Sequence, residues 1–251
     1  MRTARRVRGS VDEDNPYWMS FSDIMSSLLV IFILAAVVLI IQLVEAQQEL
    51  EKKKIKFNEE IEILKKAEDV RKTILEEAAE ALIEKGIIVT VSENHSVLSI
   101  PNEILGFGTG KYELEDRYER TAQQIGLVLY EVISQGDRIG FLDTIFVEGH
   151  TDNRAFKGFK GKGNWGLSAF RAISLWQYWL SELPSSSRLD GITNKDGQLL
   201  FSVSGYGETR PVKDIQITEE DYRLNRRIDI RFTIRRPTSE EYKEINLKLA
   251  N

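Results

Sequence analysis

The chain has 251 residues, which is enough for a membrane anchor and one globular domain of ordinary size but too few for a multidomain enzyme. Its net charge of -5 argues against nucleic acid as the main partner, because nucleic-acid binding requires a basic surface. It contains no cysteine, which excludes disulfides, thiolate metal ligands and a cysteine nucleophile and is compatible with an oxidising compartment.

The first predicted element is a membrane-spanning helix over residues 17–44, preceded by a short exposed tail, residues 1–16. Residues 24–44 are 21 consecutive residues without a charge, enough for a helix to cross a hydrocarbon core of roughly 30 Å. The run is longer than the roughly 7 to 15 apolar residues of a cleaved export signal, so it is interpreted as a permanent anchor. Charge does not fix the topology, since four arginines precede the helix and four lysines follow it.

Asp23 lies at the start of this segment. An aspartate costs about 2.5 to 3.5 kcal/mol at mid-bilayer, so an acid inside a membrane is by default a functional hypothesis. The alternative is an interfacial helix cap, favoured by the helix dipole. Ser22 and Ser26 flank Asp23 and could line an ion pathway, although serines in membrane helices commonly bond their own backbone. Position alone does not separate an ion carrier from a cap.

Residues 45–85 are predicted to form a long helical stalk, because they are rich in Glu, Lys, Ala and Leu and contain no Gly or Pro. A partial heptad favours a parallel dimer stalk, with charged residues interrupting its seam. The alternative is a lone amphipathic helix that packs on the following domain. The apolar members of the repeat are Leu50, Phe57, Ile61, Leu64, Leu75, Ala78 and Leu82.

The pattern changes at Gly86, and residues 86–236 are predicted to form an α+β domain, followed by a charged tail, residues 237–251. Alternating strands and helices predict a mixed sheet with helices on one face and a βαβ core. The predicted strands are 87–91, 97–100, 144–148, 199–205 and 226–234, and the predicted helices are 115–134 and 166–183. The Gly-rich loop 106–110 lacks the lysine of a phosphate-binding loop and is interpreted as a connector, with Phe107 in the core.

Two charged residues of this domain suggest a binding site. Asp152 follows a predicted strand, and Arg171 lies one turn into a predicted helix. Together they could hold a zwitterion, with Asp152 binding an ammonium and Arg171 a carboxylate. As a bare pair they would more commonly form a structural salt bridge. The segment 156–163 between them could be a basic, aromatic clamp for a glycan, but a flexible insertion is the favoured interpretation.

A similarity to the OmpA-like peptidoglycan-binding family covers roughly residues 87–234. The segments that carry it are residues 147–153, 164–172, 205–211 and 225–229. The resemblance implies an OmpA-like fold and binding of the diaminopimelate of the peptide stem. The residues that it implies for this site are Thr151, Asp152, Asn164, Leu167 and Arg171.

The helix that begins at Asn164 resembles the B subunits of ion-driven stators of the MotB type. The family's Trp-x-x-x-(Tyr/Phe)-(Ala/Ser)-Asp-x-Met motif is also matched at the membrane entry, by Trp18, Phe21, Ser22, Asp23 and Met25. This resemblance implies a single-pass inner-membrane protein with a cytoplasmic N-terminus and a periplasmic domain. It also implies a homodimer inside a ring of A-type, MotA-like subunits, with Asp23 carrying H+ or Na+ and no cofactor.

The work that such a stator performs is a separate question. No plug helix stands out before Glu45, and the sequence looks more like ZorB of the Zorya anti-phage system, whose partner is ZorA. A flagellar MotB-type stator and a passive wall anchor are the alternatives. An enzyme is not expected, because His95 and His150 belong to no evident metal-binding cluster and Ser186 and Ser187 have no evident base.

Overall fold

The computed structural model describes residues 16–236, so the tail regions 1–15 and 237–251 lie outside the described residues. The chain divides into two compact units, Met1–Glu59 and Glu60–Asn251. A single helix, α1 (Pro16–Glu84), runs without a break through the end of the first unit into the second. The predicted membrane segment and the predicted stalk are therefore parts of one helix.

In the first unit, the apolar side chains of α1 are exposed. Within residues 16–236, α1 is the one helix that is long and apolar enough to cross a membrane, judged by length and composition. Its uncharged stretch of 21 residues corresponds to about 31 Å of helix, which matches the thickness of a hydrocarbon core.

The C-terminal part of α1 belongs to the core of the second unit. Leu75, Ala78 and Leu82, which the heptad pattern placed on a dimer seam, are buried in the core of their own chain. Their spacing of three and four residues forms one apolar stripe, and that stripe packs within the domain. This part of the dimer-stalk prediction is corrected, whereas Leu50 and Phe57 are exposed.

The second unit contains a five-stranded mixed sheet of order β1-β2-β5-β3-β4. Its strands β3 and β4 are parallel, while the other neighbouring pairs are antiparallel. The strands are β1 (Thr90–Val91), β2 (Val97–Pro101), β3 (Leu142–His150), β4 (Phe201–Gly205) and β5 (Arg227–Ile234). A long apolar helix followed by an α+β domain with a mixed sheet confirms the predicted fold class.

Two helices, α2 (Glu119–Ile133) and α3 (Gly163–Glu182), pack against each other, and α3 connects the parallel strands as the predicted βαβ unit. The indole nitrogen of Trp179 on α3 donates to the carbonyl oxygen of Ala122 on α2 at 2.7 Å. A Cβ on Gly126 would lie 2.9 Å from the Trp179 ring, so a glycine is needed for this close approach. Phe107 is buried in the core, as predicted.

A short helix, α4 (Glu219–Asn225), has no counterpart in the sequence prediction. It begins with a capping box, in which the Thr218 side chain accepts from the Asp221 amide and the Asp221 side chain accepts from the Thr218 amide. The Thr-x-x-Asp spacing was the available sequence signal for this helix. Three 3-10 turns, Asp116–Tyr118, Arg138–Phe141 and Ser185–Ser187, complete the described secondary structure.

Candidate functional site

A cavity of about 430 Å³ lies where β3 ends and α3 begins. The structure places around this one cavity all five residues that the OmpA-like resemblance implied. These residues are Thr151, Asp152, Asn164, Leu167 and Arg171. Thr151 and Asp152 immediately follow β3, and the other three lie on the first turns of α3.

Glycines at the sheet surface allow α3 to rest directly on the two parallel strands. A Cβ on Gly149 would lie 2.0 Å from the carbonyl oxygen of Ser168, and a Cβ on Gly205 would lie 2.3 Å from the amide nitrogen of Ala169. Ser168 also accepts a hydrogen bond from the Gly207 amide through its hydroxyl oxygen, at 2.8 Å. These contacts set the position of the α3 residues that face the cavity.

Asp152 is 6% exposed, and arginines hold its carboxylate. Oδ2 accepts from Nη2 of Arg154 at 2.6 Å and from Nη1 of Arg226 at 2.8 Å, while Oδ1 accepts from the Arg154 amide at 3.1 Å. Burial by itself raises the pKa of Asp152, but the hydrogen bonds from Arg154 and Arg226 outweigh it, and the pKa lies below its ordinary value. Asp152 is therefore a carboxylate at neutral pH.

Arg171 is 4% exposed and is held by the Gly-rich loop and the residue that follows it. Its Nε donates to the Lys111 carbonyl oxygen at 3.0 Å and its Nη2 to the Gly108 carbonyl oxygen at 3.2 Å. Burial and the nearby charge of Arg226 lower the pKa of Arg171 to about 10, so the side chain stays charged at neutral pH. In residues 16–236, Nη1 of Arg171 has no hydrogen-bond acceptor.

Asp152 and Arg171 do not pair with each other among the described residues, so the salt-bridge alternative does not hold for them. Each is held by other groups, and both line the same cavity. The charged side chains on the cavity walls therefore include a carboxylate and a guanidinium that are not bonded to each other.

Asn164 positions the chain that follows β3. Its Nδ2 donates to the carbonyl oxygens of Arg154 at 3.1 Å and of Asp152 at 3.4 Å, and its Oδ1 accepts from the Phe156 amide at 3.2 Å. Leu167 provides a buried apolar wall. The hydroxyl of Thr151 is buried and has no partner among the described residues.

The sequence reasoning missed three charged residues that line the cavity: Arg154, Glu219 and Arg226. Arg226 donates to both Asp152 and Glu219, each at 2.8 Å. Its segment was part of the family resemblance but had no assigned role. Glu219 begins α4, so its position could not be inferred without that helix.

Phe156 and Phe159 of the insertion over residues 156–163 form a small aromatic core with Tyr112 and Phe170, which lie outside the insertion. The Phe159 ring lies 5.3 Å from that of Phe156, 4.8 Å from that of Phe170 and 5.6 Å from that of Tyr112, measured between ring centres. Phe156 also lines the cavity. The insertion is thus part of the cavity wall.

His150 belongs to a buried cluster that the sequence did not reveal. Candidate ligand atoms of Glu148, His150 and Asp229 lie within 4.8 Å of one another. Arg231 donates Nε to Glu148 at 2.9 and 3.0 Å, and Arg227 pairs with Asp229 at 3.0 Å. A cation bound here would have to displace both guanidinium groups, so the cluster is best described as an ion-pair network that links β3 to β5.

In the first unit, Asp23 is the eighth residue of α1. The unsatisfied amides of a helix lie in its first turn, so Asp23 cannot serve as an N-terminal cap. The hydroxyl of Ser26 donates to the Ser22 carbonyl oxygen at 2.7 Å, and that of Ser27 donates to the Asp23 carbonyl oxygen at 2.8 Å. The Ser26 hydroxyl is therefore bonded to its own helix, as the alternative for these serines anticipated.

Comparison with known proteins gives the following similarities. No family model matches the chain. The uncharacterized protein YtxE of Bacillus subtilis (strain 168) is 27% identical over 245 residues, covering 90% of this chain and 92% of YtxE. A putative MotB like protein from Desulfovibrio vulgaris is 20% identical, with a TM-score of 0.49, over 68% of this chain and 99% of the solved chain.

Two further solved structures are similar. The cell wall anchor of the T6SS from Pseudomonas aeruginosa is 20% identical, with a TM-score of 0.44, over 63% of this chain and 95% of its own. The periplasmic domain of Helicobacter pylori MotB is 18% identical, with a TM-score of 0.41, over 64% of this chain and 88% of its own.

Proposed function

We propose that the second unit is an OmpA-like domain that binds peptidoglycan through the zwitterionic end of diaminopimelate in the stem peptide. The observation that carries this proposal is the cavity shared by Asp152 and Arg171, which are oppositely charged and not paired with each other. A small molecule with an ammonium next to a carboxylate matches that pair of charges. The cavity volume of about 430 Å³ lies within the range of small-ligand sites, roughly 300 to 1,000 Å³.

The contacts around the two charges suggest which atoms the ligand would meet. Both N–H groups of Nη1 of Arg171 are available for the ligand carboxylate, since Nε and one N–H of Nη2 donate to backbone carbonyls. Oδ1 of Asp152 accepts one hydrogen bond, from the Arg154 amide, and is the less occupied oxygen for the ligand ammonium. Charge-assisted hydrogen bonds of this kind are about twice as strong as neutral ones.

Retention of the full-length protein, in detergent, on purified peptidoglycan tests this proposal. We expect the double variant Asp152→Ala, Arg171→Ala to lose retention. The matched control is Arg188→Ala, Asp190→Ala, which removes an Arg-Asp pair outside the cavity. Retention of the cavity variant at the wild-type level would contradict the assigned site.

We further propose that the chain is a stator B subunit of the MotB type in a bacterial inner membrane. Two copies would cross the membrane with cytoplasmic N-termini inside a ring of A-type, MotA-like subunits, and Asp23 would carry H+ or Na+. The sequence match at the membrane entry and the position of Asp23 beyond the first helical turn support this proposal. One elementary charge that crosses the membrane supplies about 2.3 kcal/mol per 100 mV, enough to drive a change in packing.

Asp23→Asn tests the ion-carrying role. In cells that also express the A-type partner, we expect this variant to insert into the membrane normally and to abolish ion flux and cellular activity. Ser27→Ala is the control, because it changes a neighbouring polar side chain outside the assigned pathway. Full activity of Asp23→Asn would favour a passive wall anchor.

A role as ZorB of a Zorya anti-phage system rests on the sequence resemblance alone, and flagellar rotation is the alternative output for the same machine. Neither the similarity to YtxE nor the similarity to MotB structures adds to the Zorya assignment. Phage sensitivity and swimming, measured for a strain that lacks the protein, distinguish the two outputs.

A further inference from the structure

The insertion over residues 156–163, which contributes Phe156 to the cavity wall, contains three lysines. Lys157, Lys160 and Lys162 are exposed, and among residues 16–236 no carboxylate forms an ion pair with any of them. Together they place three positive charges within six residues of a chain whose net charge is -5. Such a local excess of one charge attracts ligand groups of the opposite sign.

The insertion is fastened to the cavity wall at several points. The Phe156 amide donates to Oδ1 of Asn164, and the Phe156 ring lines the cavity. A Cβ on Gly110 would lie 3.3 Å from the Phe156 ring, so the Gly-rich loop and the insertion are in close contact. The lysines therefore lie on a segment between Phe156 and Asn164, two residues that line the cavity.

The backbone of the insertion also adopts an unfavourable conformation that persists only when neighbouring side chains stabilise it. Phe159 and Lys160 have φ angles of 57° and 45°, in the left-handed region that side chains other than glycine rarely adopt. Such residues persist when their surroundings hold them in place. Here the contacts of Phe159 with Phe156, Phe170 and Tyr112 supply that support.

We propose that Lys157, Lys160 and Lys162 form a second binding surface, which contacts the stem-peptide carboxylates that flank the residue held in the cavity. This inference rests on the proposed function. The cavity would select one zwitterionic residue, and the lysine surface would strengthen attachment to the polymer around it. Because the lysines are exposed, each contact is weak and sensitive to salt, and the effect depends on their acting together.

The test compares two triple variants of the full-length protein in detergent. The first replaces Lys157, Lys160 and Lys162 with Gln. The control replaces the residues 52–54, three exposed lysines of α1, with Gln and so removes the same charge elsewhere. Affinity for purified sacculi is measured over a range of salt concentrations, and affinity for free diaminopimelate is measured by calorimetry.

We expect the insertion variant to bind sacculi roughly five- to tenfold more weakly than the control at low salt. The difference should disappear near about 0.5 M salt, and affinity for free diaminopimelate should be unchanged. Unchanged binding of diaminopimelate also shows that the variant is folded. Equal affinity of the two triple variants for sacculi at low salt would overturn the inference.

Removal of phosphate-containing polymers from the sacculi with hydrofluoric acid provides a second arm. The difference between the triple variants should survive this treatment, because the carboxylates remain. If the difference disappears, the lysines bind phosphate groups rather than carboxylates, and the inference is overturned. Failure of wild-type protein to bind free diaminopimelate would instead contradict the proposed function, so the two failures are distinguishable.

Discussion

Arg154, two residues after Asp152, donates from Nη2 to Oδ2 of Asp152 at 2.6 Å. The Arg154 side chain is 48% exposed. In the proposed complex this guanidinium and the ligand ammonium would compete for one carboxylate. Arg154 is also held by Glu219 at 3.2 Å and by the Tyr222 ring, whose centre lies 4.4 Å from the guanidinium carbon. In the free protein a cation therefore already binds the carboxylate to which the ligand ammonium is assigned, through its other oxygen.

Arg154→Ala is expected to bind free diaminopimelate more tightly than the wild type. Removal of a competing pair whose arginine is half exposed corresponds to about 0.2 to 1 kcal/mol, or roughly a 1.5- to 5-fold gain in affinity. Arg226 still pairs with Asp152 in this variant. Calorimetric titration measures the effect, with Arg188→Ala as the control, and a loss of affinity would identify Arg154 as a ligand contact.

Arg226→Ala is expected to destabilise the domain. The Arg226 and Asp152 side chains are largely buried, and the loss of one partner leaves a buried charge less compensated. Because Arg154 keeps part of the pairing, we expect a loss of about 1 to 3 kcal/mol in the free energy of unfolding. Arg223→Ala, which removes the more exposed pair with Glu103, should cost less than about 1 kcal/mol in the same denaturation experiment. Equal losses would contradict this account.

The stability of the domain should fall in acid. Burial raises the pKa of Asp229, but the neighbouring imidazole of His150 and the guanidinium of Arg227 outweigh it, so the pKa lies below its ordinary value, as it does for Asp152. A lowered folded-state pKa contributes stability that is present above the unfolded value, about 3.9, and is lost as the pH falls through the folded value.

Thermal unfolding midpoints between about pH 7 and 2 measure this dependence. The wild type should be progressively destabilised below about pH 4, and Asp229→Asn should be less stable at neutral pH with a flatter acid profile. Asp116→Asn, which changes an exposed acid, is the control. A wild-type midpoint that does not change in this range would be inconsistent with the two lowered pKa values.

Gly149→Ala should displace α3 from the sheet. The added Cβ would lie 2.0 Å from the Ser168 carbonyl oxygen, a backbone atom that cannot move without the helix. We expect a loss of about 2 to 4 kcal/mol in unfolding free energy, together with reduced binding of diaminopimelate. Gly140→Ala has no atom within 4 Å of the new Cβ and should be nearly neutral. Comparable unfolding curves for the two variants would refute the close packing.

The sequence predicted the parts of the molecule that depend on local pattern. The membrane-spanning part of α1 was predicted from its uncharged run, and the alternation of strands and helices from the pattern of apolar residues. The family resemblance placed Asp152 and Arg171 in one site. Periodicity could not show whether Leu75 and Leu82 contact a second chain or their own domain, because a dimer seam and a face packed on the same chain have the same apolar spacing. The structure assigns these two residues to the domain core.

The missing parts of the site depend on contacts between distant segments. Arg226 lies 74 residues from its partner Asp152, and the carbonyl oxygen of Gly108 that holds Arg171 is a backbone group without a side-chain signature. The cluster of His150 with Asp229 likewise forms only when β3 and β5 are neighbours. No spacing within one segment encodes these partners.

In the proposed complex Asp152 recognises the ligand ammonium while Arg171 recognises its carboxylate. The most direct measurement is a calorimetric comparison of diaminopimelate with pimelate, which has the same two carboxylates but no amino group, using the wild type and Asp152→Asn. We expect the wild type to bind diaminopimelate more tightly than pimelate, and Asp152→Asn to bind the two with equal affinity. A preference for diaminopimelate that persists undiminished in Asp152→Asn would contradict this assignment.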